Sequence, residues 1–259
     1  MPMTSHATTL AGRVALVTGV SRPDGIAATL ARRLHRAGAT VYATGWPPHD
    51  AAMPWGSVPL DDMPVDVHRH DLADAATPHV VVDEVIEAHG SLDIVVAVHA
   101  CGTDGTLAEV TAEQLDRDWA INVRSVILLA QRFAAVHEPP PALGRPTGRM
   151  VWFTSGQHLG PMESELAYAV SKGALHQMTA SVNRAMSDSR IVANCVNPGP
   201  VDTGYATGDG HAAVADMFPD GRWGTPHDTA DLVEFLLSDA GAWIRGQVLN
   251  SEGGFDRYR

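Results

Sequence analysis

The fold is decided by the stretch Arg13-Val-Ala-Leu-Val-Thr-Gly-Val-Ser-Arg-Pro-Asp-Gly-Ile-Ala27, which joins a short apolar run to a glycine turn and a helical sequence. Residues 13 to 18 predict a buried strand, and residues 26 to 37, closed by Gly38, predict a helix. A second strand is predicted over residues 40 to 44. Strand, glycine turn, helix and strand form a βαβ unit, in which the turn and the helix N-terminus offer N–H groups and partial positive charge to a phosphate.

Size and charge limit what the rest of the chain can be. Its 259 residues fit one large α/β domain, predicted over residues 12 to 259 after a polar tail of residues 1 to 11. There are 18 basic and 30 acidic residues, for a net charge of −12. This balance argues against nucleic acid as a partner.

The cysteines indicate a reducing compartment, and the apolar runs and histidines argue against a membrane span and a metal site. Cys101 and Cys195 lie in apolar surroundings without a Cys-x-x-Cys partner, so we expect buried reduced thiols and a cytoplasmic protein. The N-terminus lacks the pattern of a signal peptide, and no apolar run is long enough to predict a membrane span. None of the 13 histidines falls in a His-x-x-x-His pair, so no metal site is expected.

The chemistry is predicted to lie between Ser155 and Lys172. Tyr168 and Lys172 are four residues apart in a run without Gly or Pro, so on a helix they share one face. A nearby ammonium lowers the pKa of a phenol from about 10 and makes it a better proton donor or acceptor. Ser155 follows the strand-like residues 150 to 154, where its hydroxyl faces the crevice in which open α/β sheets bind ligands. The alternative is a surface helix whose Tyr and Lys are solvated.

These motifs, taken in order, resemble the short-chain dehydrogenase/reductase family over residues 13 to 255. The family carries Thr-Gly-x-x-x-Gly-Ile-Gly at the first turn, whereas this chain has Thr18-Gly19 and Gly25-Ile26-Ala27, with two extra residues between the glycines. Ser155 stands 13 residues before Tyr168, as in the family, and Pro198-Gly199 follows. The resemblance implies a Rossmann-type, doubly wound, mostly parallel seven-stranded sheet with helices on both faces in a single domain.

The same resemblance assigns residues to roles. Tyr168 is the expected acid/base, and Ser155 is expected to hydrogen-bond the same substrate oxygen. Lys172 is the cation that lowers the pKa of Tyr168 and holds the ribose, and Asn122 supports a proton relay through its side chain or a local backbone distortion. The residues expected to bind the cofactor are Gly19, Ser21, Arg22, Gly25, Ile26, Thr44, Asp71, Leu72, Ala100, Tyr168, Lys172, Pro198, Gly199, Val201 and Thr203.

The cofactor preference depends on the end of the second strand. A carboxylate there binds a ribose 2′-hydroxyl and repels a 2′-phosphate, whereas cations favour the phosphate. This chain has Thr44-Gly45-Trp46 at that point and Arg22 in the glycine turn, so NADP(H) is favoured over NAD(H). His49 or Asp50 in the next loop could alter this preference.

One family motif is changed. Relatives carry Asn-Asn-Ala-Gly after the fourth strand, which is predicted here over residues 92 to 101, and this chain has Val98-His99-Ala100-Cys101-Gly102. His99 either replaces the missing amide or is an ordinary core histidine.

By resemblance, the expected reaction is reversible hydride transfer between nicotinamide and a ketone or secondary alcohol, with a 3-oxoacyl thioester of an acyl-carrier-protein reductase as the default substrate. An enoyl-thioester reductase is the first alternative, although those relatives space Tyr and Lys by six residues. The second is a catalytically silent, cofactor-sensing protein. A homotetramer and a substrate lid over residues 204 to 221 are expected by the same resemblance. The substrate pocket is expected to include Gln157, His158, Leu159, Met162, Met217 and Phe218.

Overall fold

The computed structural model describes residues 10–139, 147–206 and 208–258, and within these ranges it forms one seven-stranded sheet. The strands are β1 (Val14–Thr18), β2 (Thr40–Gly45), β3 (Val67–Arg69), β4 (Ile94–Ala97), β5 (Gly148–Phe153), β6 (Ile191–Asn197) and β7 (Val248–Asn250). Their order is β3-β2-β1-β4-β5-β6-β7, and every pairing is parallel. The expected doubly wound sheet is therefore confirmed.

Helices cover both faces of this sheet. They are α1 (Ile26–Arg36), α2 (Pro47–Ala51), α3 (Thr77–His89), α4 (Ala112–Asp118), α5 (Ser125–Val136), α6 (Leu166–Ala185), α7 (Gly208–Ala215) and α8 (Pro226–Leu237). A π-helix, Trp119–Arg124, joins α4 to α5, and short 3-10 turns lie at Gly156–His158, Ser187–Ser189 and Ala240–Trp243.

Alternation along the central strands divides the core into two layers. Val17 packs in the layer that contains Leu30 of α1 and Val233 of α8. Its neighbour Leu16 packs in the opposite layer, with Phe133 of α5. Successive side chains of a strand point to opposite faces, so a continuous apolar strand fills both layers at once.

The strand order places the candidate site. Chain connections run in one direction from β1 to β3 and in the other from β4 onward, so the switch point lies between β1 and β4. Ligands of open α/β sheets bind outside the carboxyl ends of the strands at this point. The helix N-termini and loops that follow β1, β4, β5 and β6 therefore surround the candidate site.

Several sequence-based boundaries were wrong. The fourth strand ends at Ala97 rather than at residue 101. The sequence pattern also predicts a third strand over residues 65 to 70, and the observed strand covers only Val67–Arg69. The sequence predicts one long helix over residues 112 to 133, and the structure interrupts it with the π-helix. Most of the N-terminal tail lies outside the described residues, as does residue 207 of the expected lid. The proline-rich sequence of residues 137 to 148 predicts a loop, and part of it also lies outside the described residues. Among the described residues, no helix is both long and apolar enough to cross a membrane.

Candidate active site

A cleft of about 1420 Å³ runs along the carboxyl ends of the central strands. It brings together Ser155, Tyr168, Lys172 and every residue that the sequence predicted to bind the cofactor. Asn122 is the one predicted site residue that does not line the cleft. Of the six residues expected in the substrate pocket, Met162 and Met217 line it and Gln157, His158, Leu159 and Phe218 do not.

Tyr168 lies in the first turn of α6, opposite Ser155 at the end of β5. Burial raises the pKa of Tyr168 above 10, and a hydrogen bond with Ser155 acts in the opposite direction without cancelling the effect. This net direction is opposite to the lowered pKa expected from the sequence. The reason is that spacing reports the nearby lysine, whereas the loss of solvent around the phenol depends on the folded structure.

Lys172 is buried directly behind Tyr168. Its Nζ donates a hydrogen bond of 2.9 Å to the carbonyl of Phe153 and lies 5.4 Å from the centre of the Tyr168 ring. Thr154 donates to the carbonyl of Lys172 at 2.8 Å, which ties the end of β5 to α6. Burial lowers the pKa of Lys172 to about 8, so the ammonium remains mainly protonated at pH 7.

Asn122 braces the site from within the π-helix. Its side chain is fully buried, accepts from the backbone N–H of Cys101 at 2.8 Å and donates to the Cys101 carbonyl at 2.7 Å. It also donates to the hydroxyl of Ser171, beside Lys172, at 2.9 Å. The backbone distortion expected around this residue is present as the π-helix, a form that often occurs at functional sites. The geometry gives Asn122 a bracing role between β4 and α6.

His99 takes the place of the missing amide. Its Nδ1 lies 2.6 Å from the hydroxyl of Thr18 at the end of β1, and its Nε2 lies 3.1 Å from the carbonyl of Ile121 and 2.7 Å from the hydroxyl of Ser125. A carbonyl only accepts, so Nε2 carries the proton and Nδ1 accepts from Thr18. Burial, followed by the charge of Lys172, lowers the pKa of His99 to about 3. His99 is thus a neutral bridge between β1, the loop after β4 and the π-helix.

Two glycines allow the backbone to approach closely at the head of the cleft. Gly19 has a φ of 82°, and a Cβ there would lie 2.6 Å from the backbone nitrogen of His99. A Cβ on Gly45 would lie 2.0 Å from the carbonyl oxygen of Val20. Gly25 caps α1 without a side-chain hydrogen bond, so the helix N-terminus is not covered by its own cap.

Arg22 crosses the cleft between the glycine turn and the loop after β6. It donates to the hydroxyl of Thr203 at 2.6 Å and lies 3.9 Å from a carboxylate oxygen of Asp50. Its guanidinium also stacks over Trp55, at 4.9 Å from the ring centre, and Trp55 donates to Asp50 at 2.9 Å. The sequence indicated Arg22 and pointed to Asp50, but nothing in it indicated Trp55, because this contact requires α2 and its loop to fold back over the turn.

The C-terminal residues Phe255, Arg257 and Tyr258 also line the cleft and were missed. Their only sequence signal was the Gly-Gly pair at residues 253 and 254, which predicts a sharp turn after β7. No group of three or more possible metal ligands occurs among the described residues.

Comparison with known proteins gives one consistent family. The family model described as enoyl-(acyl carrier protein) reductase matches residues 19–256. The chain is 34% identical over 247 residues to an uncharacterized oxidoreductase of Bacillus subtilis, covering 95% of this chain and 97% of that protein. It is 30% identical over 268 residues to a cyclohexanol dehydrogenase of Rhodococcus sp., and the match covers 95% of this chain and 96% of that protein.

A solved structure extends the likeness to the fold. A short-chain dehydrogenase from Burkholderia cenocepacia, crystallised in complex with NADP, superposes with a TM-score of 0.79 at 31% identity, covering 95% of this chain and 98% of that one. The sheet order, the cleft and these matches agree along nearly the whole described chain. The chain is an oxidoreductase that belongs to the short-chain dehydrogenase/reductase family.

Proposed function

We propose that the chain catalyses reversible, NADP(H)-dependent hydride transfer between nicotinamide and a ketone or secondary alcohol, with Tyr168 as the acid/base. The observation that carries this proposal is the meeting of Ser155, Tyr168 and Lys172 in one cleft, with Nζ of Lys172 5.4 Å from the centre of the Tyr168 ring. A bound nicotinamide supplies or accepts the hydride.

The residues around Tyr168 divide the remaining work. In reduction, the Tyr168 hydroxyl gives its proton to the carbonyl oxygen as negative charge develops there, and the Ser155 hydroxyl donates a hydrogen bond to the same oxygen. Lys172 stabilises the phenolate that remains and binds ribose hydroxyls. Asn122 holds the loop of Cys101 against α6 and so fixes the distance between β4 and the base of the site.

The head of the cleft fits a dinucleotide phosphate. Gly19 and Gly45 let the backbone approach where side chains would clash, and the N-terminus of α1 offers partial positive charge. The end of β2 carries Thr44 and Gly45 rather than a carboxylate, and Arg22 lies in the same part of the cleft. These features, together with the NADP complex of the Burkholderia relative, support NADP(H) as the preferred cofactor. Asp50 offsets part of the Arg22 charge, so the preference is not absolute and NAD(H) is a weaker second cofactor.

The substrate class is the finer part of the proposal. Met162, Met217 and Phe255 make part of the cleft apolar, which fits a carbonyl carried on an aliphatic or cyclic body. A 3-oxoacyl thioester fits this description, and so does a cyclic ketone, as the name of the Rhodococcus relative suggests. The family model's description favours an enoyl thioester as a second candidate, and the four-residue Tyr–Lys spacing argues against it.

Domain organisation and assembly belong to the same proposal. We infer a single domain over residues 12 to 259 with a lid over residues 204 to 221, working in the cytoplasm, where its buried free thiols stay reduced. A homo-oligomer, by family a tetramer, is supported by exposed apolar side chains on α4, the π-helix, α5 and α6, namely Leu115, Trp119, Ile127 and Val170.

The test is cofactor consumption by the purified chain. NADPH or NADH is mixed with cyclohexanone, a 3-oxo ester or an enoyl thioester, and loss of reduced-nicotinamide absorbance is followed. We expect NADPH to be consumed with the ketones and not with the enoyl thioester. Arg22→Ala should reduce kcat/KM for NADPH about 10-fold more than for NADH, the effect of one lost charged hydrogen bond. Consumption with the enoyl thioester alone, or with no substrate, would overturn the proposal.

A further inference from the structure

The C-terminal tail, residues 252–258, folds back over the open side of the cleft. Gly253 and Gly254 both have positive φ, 57° and 77°, and reverse the chain after β7. The N–H of Asp256 then donates to the carbonyl of Met217 at 2.9 Å, and the ring of Phe255 lies 5.0 Å from that of Phe218. The tail is therefore attached to the segment that follows α7.

Within the tail, Arg257 and Glu252 form a two-point ion pair. Nη1 of Arg257 donates to Oε2 of Glu252 at 2.8 Å, and Nη2 donates to Oε1. The side chains are 17% and 10% exposed. Oε1 of Glu252 also accepts from Asn197, the last residue of β6, at 2.8 Å. The carboxylate is thus fixed to the sheet and holds the guanidinium in one orientation.

The guanidinium lies against the backbone next to Ser155. A Cβ on Gly156 would lie 1.9 Å from Nη2 of Arg257, and a Cβ on Gly160 would lie 3.0 Å from its Cδ. Arg257 lines the same cleft as Ser155 and Tyr168. Its planar group therefore lies against the residue that follows Ser155, within the cleft that also holds Tyr168.

The chemistry of this pair favours an uncharged oxygen. A guanidinium carries five N–H donors, and the contacts with Glu252 use one donor on each terminal nitrogen. Glu252 offsets the positive charge, so the pair can donate to a carbonyl without a net attraction for an anion. A carboxylate placed there would also meet the negative charge of Glu252.

We propose that the Arg257–Glu252 pair is a specificity-determining element that binds a second, uncharged substrate oxygen, such as an ester or thioester carbonyl close to the reacting ketone, and disfavours a carboxylate at that place. This inference rests on the proposed ketone reduction. It goes further by stating which second functional group the substrate carries.

The experiment compares three substrates: ethyl acetoacetate, free acetoacetate, and cyclohexanone, which lacks the second oxygen. Arg257→Leu should lower kcat/KM for the ester about 10-fold and leave the value for cyclohexanone within about twofold, because one charged hydrogen bond is lost. Glu252→Gln keeps an oxygen for Asn197 and removes the negative charge. Glu252→Gln should therefore raise the ratio of kcat/KM for acetoacetate to kcat/KM for the ester about 10-fold. Arg245→Leu, at an exposed arginine outside the cleft, is the matched control and should leave all three values unchanged.

A structural role of the tail would give a different result. If Arg257→Leu lowers kcat/KM equally for all three substrates, or changes it for none, the proposal is overturned. Calorimetric binding of the ester to the NADP⁺-loaded protein provides a measurement without turnover. If the ester binds in a way that depends on Arg257 but no ketone is reduced, the proposed reaction fails and this inference is supported. If ketones are reduced and turnover does not depend on Arg257, the proposed reaction is supported and this inference fails.

Discussion

His99 gives the chain a stability that depends on pH, and replacing it with glutamine should remove that dependence. Part of the ring borders the cleft, but protein groups engage both of its nitrogens, at Thr18 on one side and at Ile121 and Ser125 on the other. Its pKa falls from an ordinary 6.5 to about 3 on folding. A group whose pKa is lowered by folding contributes stability that is complete above its unfolded pKa and is lost as the pH falls below it.

The magnitude follows from proton linkage. Each pH unit between the two pKa values changes the free energy of unfolding by about 1.4 kcal/mol, so lowering the pH from 7 to 5 costs about 2 kcal/mol through His99 alone. This figure changes little so long as the folded pKa lies below 5. His99→Gln keeps a donor for the Ile121 carbonyl and does not titrate. Its free energy of unfolding should be lower than that of wild type at pH 7, and the difference between the two proteins should shrink by nearly 2 kcal/mol at pH 5.

The assay is urea unfolding followed by tryptophan fluorescence at pH 7, 6 and 5, at one protein concentration. Other titrating groups are common to both proteins, so they cancel in the difference between the two curves. His227→Gln, at an exposed histidine of α8, is the matched control and should run parallel to wild type. If the His99→Gln curve also runs parallel to wild type, His99 is not a bridge that folding keeps neutral.

Three further predictions concern the glycine at the end of β2, the Asn122 brace and a helix cap, each measured by the urea midpoint. Gly45→Ala places a methyl group 2.0 Å from the Val20 carbonyl oxygen and should lower the free energy of unfolding by roughly 2–3 kcal/mol. Its control, Gly173→Ala, meets nothing within 4 Å inside α6 and should raise the free energy of unfolding by about 0.5–1 kcal/mol. Equal effects of the two variants would contradict this account. Asn122→Ala leaves the backbone of Cys101 without its side-chain partner and should cost about 3 kcal/mol, and a cost under 1 kcal/mol would show that the brace is dispensable. Thr225→Ala removes the capping box of α8 and should cost about 1 kcal/mol; an unchanged midpoint would count against the cap.

The sequence predicted the fold wherever local pattern and long-range packing agree. The apolar run of β1, the glycine turn and α1 were found because each has its own signal. The fourth strand was overextended because residues 98 to 101 are as strand-like as those before them. In the structure these residues leave the sheet, since His99 bonds to Thr18 and the backbone of Cys101 bonds to Asn122. No local pattern reports such distant partners.

The candidate site shows the same division. Spacing brought Ser155, Tyr168 and Lys172 together correctly, because helix geometry and strand order fix where they lie. The direction of the Tyr168 pKa was wrong, because burial exceeds the effect expected from charge alone. Arg257 was missed because its place beside Gly156 depends on the turn after β7 and on the contact with Glu252.

The most direct test of the proposed mechanism is the turnover of Tyr168→Phe. NADPH affinity is measured first, by fluorescence titration, and ketone reduction is then measured at saturating NADPH beside Tyr205→Phe, which removes another phenol hydroxyl from the same cleft. The proposed proton transfer predicts that Tyr168→Phe loses about 100-fold or more in kcat with unchanged NADPH binding, while Tyr205→Phe stays close to wild type. Near-normal turnover by Tyr168→Phe would contradict the acid/base role of Tyr168.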